Sequence, residues 1–214
     1  MEFIWSLLDF VLHIDKHLIE IVHQYGTLTY IILFLIIFCE TGLVVTPFLP
    51  GDSLLFALGA LAAKGDLNIW LIIVLLIIAA FLGNMVNYTI GRYFGNRIDN
   101  NRFVKKEHLA KTEEFYAKYG AKAVIMGRFV PFFRTFVPFV AGIGQMNFYQ
   151  YTLYTLIGAV LWVLPFCVAG YCFGTIPFVK DNFSLVVLAI IALTLIPTFL
   201  GIWQEVRKQK KAKI

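Results

Sequence analysis

The chain has 214 residues, 60% of them hydrophobic and 14% charged, and a net charge of +5. A soluble domain is nearer ~45–50% apolar and ~25% charged. The composition therefore excludes an ordinary soluble protein and indicates one all-α integral membrane domain over 1–214, with room for about four to six segments of about 20 residues.

Residues 2–24 read as an amphipathic helix. Asp9, His13, Lys16, His17, Glu20 and Gln24 recur on one side, and Leu7, Val11, Ile14, Leu18, Ile21 and Val22 fill the other. It is too polar to span and suits the membrane interface. His13 and His17 are read as part of the solvated face rather than as metal ligands. The N-terminus lacks a basic region followed by a small-residue cleavage site, so no cleaved leader is expected.

Residues 28–63 are apolar except for Glu40 and Asp52. The stretch is too long for one simple span, and Thr46-Pro47-Phe48-Leu49-Pro50-Gly51-Asp52 interrupts its centre. Proline biases the preceding residue out of helix, and Pro-Gly is a strong turn signal. A first re-entrant hairpin is predicted, with breaks at Pro47, Pro50 and Gly51.

Residues 67–91 carry no charge and form a span. Asn84 and Asn87 lie one turn apart in its second half. Hydrogen bonding between helices is one role for them, and lining a polar cavity with Arg92 is the other. Residues 92–122 hold eight bases, from Arg92 to Lys122. Glu107 with Lys111 and Glu114 with Lys118 form well-oriented helical pairs. Clustered base marks the cytoplasmic side. Nucleic acid fits poorly, because the segment is short and acid is interleaved.

A second re-entrant hairpin is predicted over 123–146, around GRFVPFFRTFVPFVAGIG at Gly127–Gly144. Pro131 and Pro138 break the backbone here, since each removes a donor and clashes with the preceding turn. Arg128 and Arg134 sit in this apolar context, where each costs about 2.5–3.5 kcal/mol at a helix centre. Broken backbone at membrane depth survives only when packed in protein or lining a wet cavity.

Residues 149–173 form a span with Pro165 as a kink, Gly174–Asn182 a short loop, and 183–203 a last span ending at Trp203. Residues 204–214 are a basic, cytoplasmic tail. Cys39, Cys167 and Cys172 lie in apolar runs without metal-ligand or disulfide spacing, and no cofactor or metal is expected.

The two halves resemble each other. Pro47-Phe48-Leu49-Pro50 echoes Pro131-Phe132-Phe133-Arg134, and each half then reaches a G-x-x-F-G, at Gly91–Gly95 and Gly170–Gly174. Hairpin then span, entered from opposite faces, is the pattern of an inverted-repeat transporter, whose sites lie between broken helices near the midplane.

Four motifs carry a family resemblance: Phe38-Cys39-Glu40-Thr41-Gly42; Phe48-Leu49-Pro50-Gly51-Asp52-Ser53-Leu54-Leu55; Asn87-Tyr88-Thr89-Ile90-Gly91-Arg92; and Gly127-Arg128-Phe129-Val130-Pro131 followed by Arg134-Thr135. Together they resemble the DedA family of bacterial inner-membrane proteins over nearly the whole chain. The resemblance implies two re-entrant hairpins, a fold shared with eukaryotic lipid scramblases of the VTT group, and translocation of phospholipid or a lipid carrier such as undecaprenyl phosphate, dependent on the proton motive force. It assigns functional acids and arginines to Glu40, Asp52, Arg128 and Arg134. Asn84 departs from the pattern, because close relatives often carry aspartate there.

The leading expectation is a lipid-phosphate transporter, with membrane lipid and protons as its partners. Arg128 and Arg134 would bind the head group, since a guanidinium grips phosphate bidentately and stays charged. Glu40 and Asp52 would couple protons. A structural role would instead pair each acid with its own arginine. The alternatives are a proton-coupled exporter of small cations or drugs and an energy-independent scramblase. An enzyme is not expected, as no His-Glu-x-x-His, zinc-type cluster or paired nucleophile occurs. Homo-oligomerisation is left open.

Overall fold

An asparagine starts each of the two longest described helices. The computed structural model describes residues 24–43, 51–95, 122–129 and 131–183, with positions 20, 22, 185, 186 and 188–190 on the flanks. Asn68 Oδ1 accepts from the backbone N–H groups of Trp70 and Leu71 at 3.0 and 3.1 Å, at the start of Ile69–Gly95. Asn147 Oδ1 accepts from Tyr149 and Gln150 at 3.0 and 3.3 Å, at the start of Phe148–Phe173. Each cap satisfies donors that the first helical turn leaves orphaned.

Every described element is a helix. In chain order they are α1 (Leu28–Gly42), α2 (Gly51–Lys64), α3 (Ile69–Gly95), α4 (Lys122–Gly127), α5 (Pro131–Ile143), α6 (Phe148–Phe173) and α7 (Pro177–Asp181). With 27 and 26 residues, α3 and α6 are the two described helices long and apolar enough to cross a membrane. At 1.5 Å per residue each is about 40 Å long, against a hydrocarbon layer of about 30 Å. By the same measure α1 and α2, with 15 and 14 residues, reach only about 20 Å.

The outward faces of the long helices are apolar. Trp70, Val74, Ile78, Leu82 and Val86 recur every four residues along α3, and Leu153, Leu156, Val160, Leu164 and Val168 every three or four along α6, all exposed. Apolar stripes of this extent are not left to water by a soluble protein and suit lipid. The inward faces form the core, where Leu33 and Ile37 of α1, Leu55 and Leu58 of α2, Leu76 and Ala80 of α3, and Ala159 and Val163 of α6 are buried together.

The packing is reciprocal. Helix α2 lies along α6, and α5 lies along α3. Both crossings are made close by glycine. Between α3 and α5, a Cβ on Gly91 would overlap the Phe139 carbonyl, and one on Gly142 would overlap the Tyr88 carbonyl. Between α6 and α2, a Cβ on Gly170 would overlap the Phe56 carbonyl, and one on Gly59 the Cys167 carbonyl. Where association depends on packing rather than on expulsion of water, small residues let backbones approach this closely. The partners correspond in register. Asn68 and Asn147, like Gly91 and Gly170, are 79 positions apart; Phe56 and Phe139, like Gly59 and Gly142, are 83 apart.

Two expectations are corrected. Pro138 does not break the chain: α5 runs through it, and the interruption falls before Pro131, which opens the helix. The proline nitrogen has no hydrogen to give to the Arg134 carbonyl, but the adjacent Thr135 carbonyl takes a hydrogen bond from Asn87 Nδ2 at 2.9 Å. A neighbouring helix thus supports the backbone where a proline weakens it. The segment 174–182 is not all loop either, since Pro177 starts the short α7. The breaks Pro47 and Pro50, nearly all of the amphipathic helix 2–24, most of the basic region 92–122, most of the span 183–203, and the tail 204–214 lie outside the described residues.

Candidate functional site

The interrupted ends of the short helices meet at four ionisable side chains. Glu40 is in the last turn of α1, Asp52 in the first turn of α2, Arg134 in the first turn of α5, and Arg128 in the turn after α4. Helix ends leave backbone groups unpaired, so polar side chains gather there.

Arg134 takes both acids. Its Nη2 pairs with Glu40 Oε1, and its Nη1 donates to Asp52 Oδ1 at 3.0 Å. The indole of Trp162, in the middle of α6, completes the cluster. Its Nε1 donates to the same Asp52 oxygen at 2.7 Å, while the Arg134 guanidinium lies over its ring, 4.6 Å from the centroid. A desolvated guanidinium over an indole face is a favourable contact. Gly51 leaves room for the Glu40 carboxylate, because a Cβ there would strike both of its oxygens.

Arg128 is arranged differently. It is buried, yet among the described residues no carboxylate pairs with it. Its Nη2 donates to the Ala80 carbonyl at 3.3 Å. With the Asn84 amide oriented to suit its neighbours, the Asn84 oxygen accepts from Arg128 Nε and Nη2, and the Asn84 nitrogen donates to the Thr41 carbonyl at 3.2 Å. Nη1 has no partner among the described residues. Gly158 of α6 makes space for the stem of this side chain, with its Cβ position 3.1 Å from Arg128 Cδ. Arg128 is thus a buried cation whose hydrogen-bond partners among the described residues are carbonyl and amide groups, with one donor unused.

The asparagines join the broken helices. Asn87 Nδ2 reaches the Thr41 carbonyl at 3.3 Å and the Thr135 carbonyl at 2.9 Å, tying the end of α1 to the start of α5. Tyr151 of α6 donates to the Asn84 carbonyl at 2.8 Å and stacks on Tyr88 with ring centroids 4.2 Å apart. Four sequence-derived residues, Glu40, Asp52, Arg128 and Arg134, are thus brought into one buried region, with Asn84 and Asn87 beside them. Arg92 is not there. It is exposed in the last turn of α3, where a cation faces the negative end of the helix dipole. The pairing of each acid with its own arginine is also corrected, since Arg134 takes both.

Trp162 is the contributor that the sequence reading missed. Tryptophan favours membrane interfaces, and a buried indole N–H demands an acceptor. A tryptophan deep within an apolar span was therefore a usable signal.

The apolar outer surface, the two long apolar helices and the buried charges define a membrane protein. Residues 49–172 match the VTT domain. The chain is 52% identical to the protein DedA of Escherichia coli K12, over 99% of this chain and 98% of that one. It is 38% identical to an uncharacterized membrane protein of Mycobacterium leprae, over 82% of this chain and 80% of that one. To the inner membrane protein YqjA of Escherichia coli it is 36% identical, over 69% of each. The chain belongs to the DedA family of VTT-domain membrane proteins. No solved structure matches it.

Proposed function

We propose that this chain moves a lipid phosphate, a phospholipid or a polyprenyl-phosphate carrier, across the bacterial inner membrane in exchange for protons. The observation that carries this reading is the contrast between the arginines. Arg134 is held by two acids, whereas Arg128 is buried without a carboxylate among the described residues and keeps Nη1 unused. A phosphate binds Arg128 first and then competes with Glu40 and Asp52 for Arg134. The displaced acid takes up a proton, because an uncompensated charge at this depth is costly. Each proton then contributes about 2.3 kcal/mol per 100 mV of membrane potential, enough to bias direction.

The topology that suits this cycle is an inverted repeat. Helices α1 and α2 form one re-entrant hairpin, α4 and α5 the other, and α3, α6 and the segment 183–203 cross the membrane, with the C-terminus in the cytoplasm. The matched glycine crossings and matched asparagine caps support it, as does the shortness of α1 and α2. A hydrated path between the hairpins would admit the head group while the acyl or prenyl chain stays in lipid. The test is transport in proteoliposomes of defined lipid, with and without an imposed pH step. Movement that ignores the step would indicate scrambling, and movement of small cations without lipid would indicate an exporter.

A further inference from the structure

The two acids that hold Arg134 differ in their side-chain partners. Glu40 comes from the last turn of α1 and Asp52 from the first turn of the 14-residue α2, and both carboxylates lie at the start of α2, that of Glu40 against Gly51. Their side-chain hydrogen bonds set them apart. Asp52 Oδ1 accepts from two side chains, Arg134 at 3.0 Å and Trp162 at 2.7 Å. Glu40 has Arg134 on Oε1, and its Oε2 has no partner among the described residues. Solvent access differs too, at 1% for the Glu40 side chain and 14% for that of Asp52.

Among the described residues few groups face Glu40, and the backbone of Gly51 at the start of α2 is one of them. Helix α2 contributes Asp52 and α5 contributes Arg134. Arg128 stands beyond Asn84, after α4, with the phenol of Tyr151 on its α6 side. Helix α3 offers the neutral amides of Asn84 and Asn87, and α6 the indole of Trp162. One guanidinium between two carboxylates leaves an excess of negative charge, so this cluster stores a proton readily. The question is which acid receives it.

We infer that Trp162 is a positioning residue that keeps Asp52 ionised throughout the cycle, so that Glu40 alone carries the proton. This rests on the proton-coupled reading above. When Arg134 turns to a phosphate, Asp52 keeps the indole N–H, whereas Glu40 loses its side-chain donor. A proton from water bonds to the Glu40 carboxylate, whose Oε2 is unoccupied. When Arg134 returns, that O–H breaks and the proton leaves to the opposite side. The balance is one proton per lipid phosphate, with no change of oxidation state. Trp162 holds its position without Arg134, because it is fully buried in the core of α6.

The test uses no substrate, so its failure and the failure of transport are separate results. The full chain in lipid nanodiscs is followed by infrared difference spectroscopy as the pH is lowered. The carbonyl stretch of a buried carboxylic acid is recorded with heavy-carbon-labelled glutamate or, separately, aspartate. The first buried band should move with the glutamate label, vanish in Glu40→Gln and persist in Asp52→Asn. Trp162→Phe keeps a ring beneath Arg134 but removes the N–H. It should add a second band over the same pH range, one that moves with the aspartate label, roughly doubling the signal. A first band that moves with aspartate, no glutamate band before unfolding, or no second band in Trp162→Phe would each overturn the inference. The labelling of wild type assigns the band even if a variant fails to fold.

Discussion

Arg134 and Asp52, 82 residues apart in sequence, are joined by a 3.0 Å hydrogen bond between α5 and the first turn of α2. The bond ties the two halves of the chain together at a point where both have interrupted helices. Because Glu40 shares the same guanidinium, removing that one cation leaves two acids uncompensated.

The arginines should therefore differ in what they do for stability. Arg134→Met strands Glu40 and Asp52 and should destabilise by about 3–5 kcal/mol, the cost of breaking a buried pair. Arg128→Met removes a charge with no acid partner among the described residues and should leave stability unchanged or raised, while abolishing transport. Thermal unfolding of the purified variants in detergent checks both. Equal destabilisation by the two changes would place a structural carboxylate on Arg128.

Lysine should not replace either arginine fully. It keeps the charge but lacks the planar fork that grips two phosphate oxygens. We expect Arg128→Lys and Arg134→Lys to fold and to transport at least several-fold more slowly than wild type. Wild-type rates in both would mean that only the charge matters.

The glycine crossings give a matched pair of expectations. Gly91→Ala and Gly170→Ala force a Cβ into the facing carbonyls of Phe139 and Phe56 and should each cost about 1–3 kcal/mol, as overpacking does. Gly144→Ala, at an exposed position whose Cβ would lie 3.4 Å from the Val140 carbonyl, should stay within about 0.5 kcal/mol of wild type. Unequal responses at Gly91 and Gly170 would count against the equivalence of the two crossings.

The hairpin topology has its own check. Cysteines introduced at Gly26 and Lys64, in a background without native cysteines, should react with a membrane-impermeant reagent from the same, outer side. Reaction from opposite sides would mean that α1 and α2 cross the membrane together.

Much of this was legible in the residues because membrane chemistry is sparing with charge. Glu40, Asp52, Arg128 and Arg134 stand out against apolar surroundings, and the stretches 67–91 and 149–173 fell within a few residues of α3 and α6. The pairing was not legible. Periodicity places Arg128 and Arg134 in one segment but does not say which of them faces the acids, and that depends on how α5 lies against α3. Pro138 misled for a related reason: the amide of Asn87, 48 residues from Thr135, supports the backbone beside it. Trp162 escaped notice because an indole in an apolar run looks like packing until its N–H is traced to an acid 110 residues away.

The most direct measurement is transbilayer movement of a lipid phosphate in proteoliposomes carrying wild type, Arg128→Met or Glu40→Gln, with and without an imposed pH step. We expect wild type to move the lipid and to accelerate with the step, Arg128→Met to match empty liposomes, and Glu40→Gln to ignore the step. Movement by Arg128→Met at the wild-type rate, or an undiminished response to the step in Glu40→Gln, would contradict a phosphate carried on Arg128 in exchange for a proton.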